Sequence, residues 1–308
     1  MNIHQLNELK QKCLKSKQRD AWIVLFGLLV IIAIAVWSVS CASSAGSVPT
    51  IAPILFVATF VIIIIAVAAN HKNITTTQNT YNAAYKNYFA DKTLSGFLQN
   101  YQYSHNRGID SATIKDLDII KFGNFYHTND LITGDYKDVH FTQADITIKN
   151  PSSDNDNPTY FQGHWVIVDY PKKFNSKLII AHKALSGIVK APAGCEKLET
   201  ESTEFSKHMN IYAADGREMF YILNPKVIER IEHLTARYIL PAFFVFDQQK
   251  LHICISATDS LEPPAITKKP LDEAEELRRH SDQTRFVFDL VDALELSKKS
   301  AQNSGGRE

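Results

Sequence analysis

Two long uncharged apolar stretches near the N-terminus restrict the fold of this 308-residue chain more than any other feature. Residues 21–42 and 51–69 contain no charged side chain, and the second stretch is rich in Ile, Val and Ala. As a helix the first stretch would reach roughly 33 Å, enough to cross the hydrocarbon core of a bilayer. An unpaired backbone is too costly in lipid, so both stretches must be helical there. The sequence therefore predicts a transmembrane hairpin with a short polar turn at 43–47.

A signal peptide and a lipoprotein anchor are the two other interpretations of this segment. The first apolar run is longer than the core of a typical signal peptide, and a second run follows at once. A lipoprotein would use Cys41, but Ser38 stands where such sites usually carry leucine. We therefore favour two spans over either alternative.

Flanking charge predicts the orientation of the hairpin. Five Lys or Arg residues precede the first run, the connecting turn has none, and Lys72 follows the second run. The positive-inside rule then places both termini in the cytoplasm of a multi-pass inner (plasma) membrane protein. The five cations are also candidate contacts for anionic lipid headgroups, each contributing about 1 kcal/mol near a charged surface. They are Lys10, Lys12, Lys15, Lys17 and Arg19.

The periodicity of the flanking segments predicts that helix continues on both sides of the hairpin. Residues 3–19 form an amphipathic pattern, typical either of an extension of the first span or of an interfacial helix. After the second span, aromatic residues including Tyr81 and Tyr85 recur at helical spacing. We expect the N-terminal arm to pack on this tyrosine stripe.

The balanced total charge hides an asymmetry that argues against nucleic-acid binding. Residues 1–72 carry six basic and two acidic side chains, and the remainder carries 27 basic and 31 acidic ones. A slightly acidic domain lacks the basic surface that phosphates require.

The four cysteines form no CxxC pair and no metal-ligand spacing, so we expect no metal site and no cofactor.

The patterns together predict an α+β fold, with mostly antiparallel strands and flanking helices after the transmembrane hairpin. Strand-like runs occur at 131–136, 141–148, 160–170 and 178–182, and a strongly apolar hairpin at 239–256. Helices should begin at Asn224-Pro225 and near residue 284.

We expect five regions along the chain. They are a cytoplasmic amphipathic helix at 1–20, the hairpin at 21–70, a helical stalk at 71–100, a cytoplasmic α+β domain at 101–298 and a disordered tail at 299–308. A segment rich in Gly and Pro at 187–196 is a candidate seam within the fourth region.

No catalytic motif stands out in the sequence. It contains no P-loop, HExxH, GxSxG or EF-hand pattern. Four residues are weak candidates for a polar pocket, namely His164, His182, Asp145 and Asp169. His164 and His182 fall on predicted strands that we expect to be adjacent, although surface or internally satisfied histidines are the commoner case. Catalytic residues stay unassigned, and whether the chain is an enzyme stays open, with a non-enzymatic role favoured.

Three segments carry a resemblance to a known family. They are 130–145 (DLITGDYKDVHFTQAD), 161–174 (FQGHWVIVDYPKKF) and 200–229 (TESTEFSKHMNIYAADGREMFYILNPKVIE). With them the chain resembles the bacterial domain-of-unknown-function family 3137, whose members typically have two N-terminal spans and a cytoplasmic domain. The resemblance implies this topology and a bacterial origin, and it implies no activity, cofactor or catalytic residue.

The leading functional hypothesis is a membrane-anchored, non-enzymatic module that binds a protein partner, a lipid headgroup or a small ligand. One alternative is a membrane-tethered enzyme acting on lipid or envelope precursors, which would need His164, His182, Asp145 and Asp169 in one cleft. A second alternative is a structural subunit of a membrane complex, or a homo-oligomer built on the tyrosine-striped stalk.

Overall fold

A computed structural model describes residues 1–45, 51–151, 158–170, 173–238, 241–257 and 261–294. Residues 46 and 47 of the polar turn predicted at 43–47 and all of the predicted tail lie outside these residues. The chain divides into two compact units. The hairpin unit contains Met1–Tyr88 and Pro263–Glu273, and the sheet unit contains Phe89–Glu262 and Ala274–Glu308.

Two helices of 43 residues each dominate the N-terminal part of the chain, α1 (Ile3–Ala45) and α2 (Ala52–Leu94). Both are long and apolar enough to cross a membrane, and only 6% of the apolar window in each is buried. The two predicted spans are therefore present as helices. Helix α1 is continuous from Ile3, so the N-terminal arm is an extension of the first apolar stretch.

Small and buried side chains bring the two helices together. A Cβ atom on Gly27 of α1 would lie 2.5 Å from Cδ1 of Ile63 on α2, so glycine permits a close approach at this point. Nearer the N-terminus, the Cys13 thiol donates to the Thr77 carbonyl at 3.2 Å. The N-terminal arm thus packs against α2, whose Tyr81 and Tyr85 are fully buried.

A segment from the C-terminal third of the sequence, Pro263–Glu273, completes the hairpin unit, and we call it the strap. Lys10 Nζ donates to the carbonyl of Lys269 at 2.7 Å, and the Leu271 amide donates to Asn7 Oδ1 at 2.8 Å. These bonds tie the strap to the N-terminal arm of α1.

The sheet unit is built on one nine-stranded antiparallel sheet. The strands are β1 (Gln99–Ser104), β2 (Phe125–Tyr136), β3 (Val139–Lys149), β4 (Thr159–Asp169), β5 (Leu178–His182), β6 (Glu196–Leu198), β7 (Met209–Ala213), β8 (Ala242–Asp247) and β9 (Lys250–Ser256). The helices are α3 (Ser111–Lys115), α4 (Thr203–His208), α5 (Gly216–Ile222), α6 (Pro225–Tyr238) and α7 (Glu273–Ala293). The predicted α+β class is confirmed.

Local chemistry explains several element boundaries. Lys137 and Asp138 both have positive φ angles, of 47° and 67°, and form the two-residue turn between β2 and β3. Paired positive φ values match the right-handed twist of a tight hairpin. Asn224 Oδ1 accepts from the Val227 amide at 3.1 Å and caps α6 as its sequence predicts.

The strand order β1-β2-β3-β4-β9-β8-β5-β7-β6 corrects one sequence-based expectation. Strands β4 and β5 are not adjacent, because the β8–β9 hairpin lies between them. Strands on both sides of the candidate seam at 187–196 belong to this same sheet.

Each face of the sheet packs against different partners. On one face Trp165 is fully buried and makes edge contacts with Phe161 and Phe243. On the other face Phe141 meets the ring of Phe288 from α7 at 5.8 Å. Alternation along β3 places Asp145 on the Phe141 face, and its register partner His164 lies on that same face.

Candidate functional site

The polar centre of the sheet is a buried pair formed by Asp145 on β3 and His164 on β4. The two residues are direct register partners on the antiparallel strands. Nδ1 of His164 lies 2.5 Å from Oδ1 of Asp145, and the side chains are 5% and 8% exposed respectively. A carboxylate on Nδ1 orients the imidazole and favours a proton on that nitrogen. Both residues are candidates from the sequence, and the pairing of β3 with β4 brings them together.

A second buried acid lies in the neighbouring strand. Asp130 sits where the register between β2 and β3 shifts, has a φ angle of 56°, and is 1% exposed. Its carboxylate accepts from the Tyr103 hydroxyl at 2.5 Å and from Asn129 Nδ2 at 2.6 Å. Sequence reasoning did not single out Asp130. An acidic residue at the point where the apolar–polar alternation of β2 breaks could have indicated it, because such a break is typical of a β-bulge.

The opposite face of the sheet carries a different polar contact. The indole Nε1 of Trp165 donates to Nδ1 of His252 at 3.1 Å. Burial, together with the charges of Lys250 and Lys177, lowers the pKa of His252 to about 4. His252 is therefore neutral near pH 7, which is the state that can accept this hydrogen bond.

The other two sequence candidates lie apart from the Asp145–His164 pair. Asp169, at the end of β4, pairs with Lys250 at 2.5 Å, and both side chains are about half exposed. His182, at the end of β5, accepts from the Ala184 amide at 3.2 Å and caps a short 3₁₀ turn. Two strands separate β5 from β4, so the expected approach of His182 to His164 is wrong.

The enclosed pairs limit the chemistry that this sheet can perform. Asp145, His164 and Asp130 each make an internal contact and are almost wholly buried. Such groups hold a proton or orient one another, but they do not present a reactive atom to a substrate arriving from solvent. Within the described ranges, no group of three or more His, Cys, Asp or Glu side chains could hold a metal ion.

A further polar cluster lies in the hairpin unit, directly beside the apolar stretches. Asn70 Oδ1 accepts from Arg19 Nε at 2.7 Å, and Asn70 Nδ2 donates to the Ser16 carbonyl and to Asp20 Oδ1, each at 3.2 Å. Asn73 Nδ2 donates to the Ser16 hydroxyl at 2.8 Å. We call these five residues the clasp. It links α1 and α2 just before the first apolar stretch and just after the second.

The five candidate headgroup contacts differ in their exposure. Lys10 is 3% exposed and its ammonium bonds the strap. Lys12, Lys15 and Lys17 are exposed on α1, and Arg19 is exposed while bonded to Asn70. Three exposed lysines therefore remain within a few helical turns of the first apolar stretch.

Comparison with known proteins gives one family match and one similar solved structure. The sequence model of the family described as "Protein of unknown function (DUF3137)" matches residues 159–296. No curated protein matches the chain. The chain is similar, at 10% identity and a TM-score of 0.36, to the crystal structure of the mycobacterial trehalose monomycolate transport factor A, TtfA. The alignment covers 69% of this chain and 95% of that chain. A similarity this weak supports no conclusion about the fold or function of this chain.

Two of the three segments that suggested the family from sequence, 161–174 and 200–229, lie inside the matched region, and 130–145 precedes it. The matched residues begin at β4 and extend past the end of α7. The match over residues 159–296 thus confirms the family that the sequence predicted for this part of the chain.

Proposed function

We propose that this chain is a multi-pass protein of the inner membrane with both termini in the cytoplasm. Its sheet unit then serves as a binding module that holds a protein partner, a lipid headgroup or a small ligand beside the membrane. The coarser statement, that the chain is membrane-associated, follows from its two candidate spanning helices.

The observation that carries the proposal is the exposure of the apolar side chains on both long helices. Trp22, Phe26 and Ile54 are each at least 67% exposed. The core helix of a soluble protein would bury such side chains, whereas here only 6% of each apolar window is buried. An uncovered apolar surface of this length is unfavourable in water at roughly 25 cal/mol per Å², and lipid removes that cost.

Charge supports the orientation. Exposed Lys12, Lys15 and Lys17 precede the first apolar stretch, and exposed Lys72 follows the second. Cations beside a span favour the cytoplasmic side. The clasp lies at the same level of both helices, which suits the boundary between lipid and cytoplasm because its polar groups are paired with one another.

The sheet unit supports a binding role more than a catalytic one. The enzyme hypothesis required four polar residues in one cleft, and His182 and Asp169 lie apart from the buried Asp145–His164 pair. No specific observation therefore favours the enzyme.

Protease protection tests the topology. The full-length chain with a C-terminal tag is expressed, and protease is added either to spheroplasts or to inverted membrane vesicles. We expect the tag and the sheet unit to survive in spheroplasts and to be digested in inverted vesicles. Digestion in spheroplasts, or release of the protein by an alkaline wash without detergent, would overturn the proposed anchoring.

Affinity purification after cross-linking in cells tests the binding role. We expect a stoichiometric protein partner or a retained lipid, identified by mass spectrometry of the purified full-length protein in detergent. Recovery of neither would contradict a binding module. A homo-oligomer with no other component would favour the structural-subunit alternative instead.

A further inference from the structure

Four exposed cations lie at one level of the hairpin unit, directly beside its apolar stretches. They are Lys15, Lys17 and Arg19 on α1 and Lys72 on α2, and we call them the collar. Arg19 lies two residues before the first stretch and Lys72 three residues after the second, which is about 3 Å and about 4.5 Å along the helix axes. The collar therefore borders both stretches at the same end of the hairpin.

The contacts between the two helices place Lys72 at the level of the three α1 cations. Asn73 donates to the Ser16 hydroxyl at 2.8 Å, and Arg19 donates to Asn70 at 2.7 Å. Lys72 lies between Asn70 and Asn73 in sequence, so it comes opposite the segment of α1 that carries the other three cations. No sequence pattern predicts this register, because it depends on which side chains meet across the hairpin.

The hairpin unit leaves the charge of the collar largely uncompensated. Asp20 contributes the opposing charge at this level, so the collar keeps a net charge of +3. Within the described residues, the ammonium groups of Lys15, Lys17 and Lys72 make no ion pair. The next acid along α1, Glu8, lies seven residues before Lys15, about 10 Å along the axis. The unit as a whole has nine basic side chains against four acidic ones, so its other residues do not cancel the excess.

The position of the collar decides which anion it meets. Residues 21–42 and 51–69 contain no charge and leave their side chains exposed, so lipid tails cover them in the proposed anchoring. An anion that contacts the collar then lies where the headgroups begin. Lysine stems can lie along apolar surface while their ammonium groups reach phosphates at that level. A soluble anion would have to displace headgroups first, so lipid is the occupant that the geometry favours.

We infer that the collar binds anionic phospholipid headgroups and enriches such lipids around one end of the hairpin, in preference to zwitterionic lipids. This inference deepens the proposed membrane anchoring and rests on it. It also changes the set of headgroup contacts expected from the sequence. Lys72 of α2 joins the set, whereas Lys10 is held by the strap and Lys12 lies further from the apolar stretches.

Fluorescence quenching by brominated lipids tests the inference in the full-length protein. The protein is reconstituted into vesicles of phosphatidylcholine and phosphatidylglycerol in equal amounts, with bromine in the upper acyl chains of one lipid or of the other. Trp22, which is 68% exposed and three residues after Arg19, is the probe in a Trp37→Phe background. The ratio of the two quenching efficiencies measures which lipid is enriched beside the collar.

Trp37 is the matched probe, in a Trp22→Phe background. It is 43% exposed on the same helix, and no charged residue occurs between positions 21 and 69. Trp165 is fully buried in the sheet unit and gives the same background in both proteins. We expect phosphatidylglycerol to quench Trp22 several-fold more strongly than phosphatidylcholine does, and the two lipids to quench Trp37 equally.

Charge neutralisation assigns the preference to the collar. The variant Lys15→Gln/Lys17→Gln/Lys72→Gln keeps Arg19, so the clasp retains its bonds. We expect this variant to lose the preference for phosphatidylglycerol at Trp22. High salt should weaken the preference in the parent, because the collar lies outside the hydrocarbon core and its charges are screened.

The matched control removes the same charge from the sheet unit. Lys121→Gln/Lys173→Gln/Lys197→Gln replaces three exposed lysines there and should leave the preference at Trp22 unchanged. Equal quenching of Trp22 by the two lipids in the parent, an undiminished preference in the collar variant, or an equal loss in both variants would overturn the inference.

The total quenching separates this failure from a failure of the anchoring. Trp22 and Trp37 both belong to the first apolar stretch, so bromolipid must quench them if α1 spans the bilayer. Quenching of both tryptophans without a preference between the lipids would reject the role of the collar alone. Absence of quenching at both would reject the anchoring itself.

Discussion

The Trp165 indole donates its hydrogen bond to His252 across two neighbouring strands, at a distance of 3.1 Å within the buried face of the sheet. Both residues are at most 4% exposed. The bond requires His252 to remain neutral, so it ties the stability of the sheet unit to pH.

We predict that acid weakens the sheet unit through His252. Its pKa is about 4 in the folded state against an ordinary 6.5, so the unfolded chain binds more protons between these values. The stability due to neutral His252 is complete above pH 6.5 and is lost as the pH falls toward 4, by about 3 kcal/mol. Urea unfolding in detergent, followed by Trp165 fluorescence in the Trp22→Phe/Trp37→Phe background, measures this loss.

The variant His252→Asn is the control for this prediction, because asparagine offers an acceptor to Trp165 and does not titrate. We expect its unfolding midpoint to depend less on pH between 6.5 and 4 than that of the parent. Equal pH dependence in the two proteins would show that other groups cause the acid sensitivity.

Breaking the Asp145–His164 pair from one side should be costly. Asp145→Val leaves His164 buried beside an apolar side chain, and we expect a loss of about 2–4 kcal/mol in the free energy of unfolding. The double variant with His164→Val should recover most of this loss, because both polar partners are then removed. The exposed Asp169–Lys250 pair is the matched control, and its removal should cost at most about 1 kcal/mol. A single variant as stable as the parent would contradict the prediction.

Gly163 should not tolerate a side chain. Its φ angle is 155°, and a Cβ atom there would lie 1.9 Å from the carbonyl oxygen of Ile255 on β9. We expect Gly163→Ala to lower the thermal midpoint and to cost about 2–3 kcal/mol, since backbone atoms must move. Gly187→Ala, where no atom lies within 4 Å of the added Cβ, should change it little. Equal effects at both positions would refute the steric argument.

The clasp should hold α1 and α2 together beside their apolar stretches. Asn70→Leu removes bonds to Arg19, Ser16 and Asp20, and we expect a cost of about 1–3 kcal/mol, seen as faster amide hydrogen exchange at residues 66–77 in detergent. Thr75→Val is the control, because its hydroxyl donates to the His71 carbonyl of its own helix. Unchanged exchange in the Asn70 variant would rule out the clasp as a stabilising feature.

Local patterns predicted those elements whose own residues determine them. Period-two alternation predicted β3, β4 and the second half of β2, and the short run 178–182 coincides with β5. Strand β1 (QNYQYS) was missed because it carries no apolar alternation, and the first half of α7 was missed because its residues are mostly charged. Polar segments like these take their structure from packing partners that are distant in sequence.

The candidate site was predictable only where sequence neighbours are also neighbours in the sheet. Asp145 and His164 meet because β3 and β4 are consecutive strands that pair directly. His182 does not reach them, because the β8–β9 hairpin, formed some 60 residues later in the chain, inserts between β4 and β5. His252 belongs to that same hairpin, and no sequence motif predicts its contact with Trp165.

The strap has a consequence for how the protein is made. Asn7 and Lys10 are made long before their partners, because Leu271 and Lys269 are translated 264 and 259 residues later. Every strand of the sheet emerges in the interval. The surface of α1 that binds the strap therefore stays uncovered until every strand of the sheet has been synthesised, and the hairpin unit can close only after that.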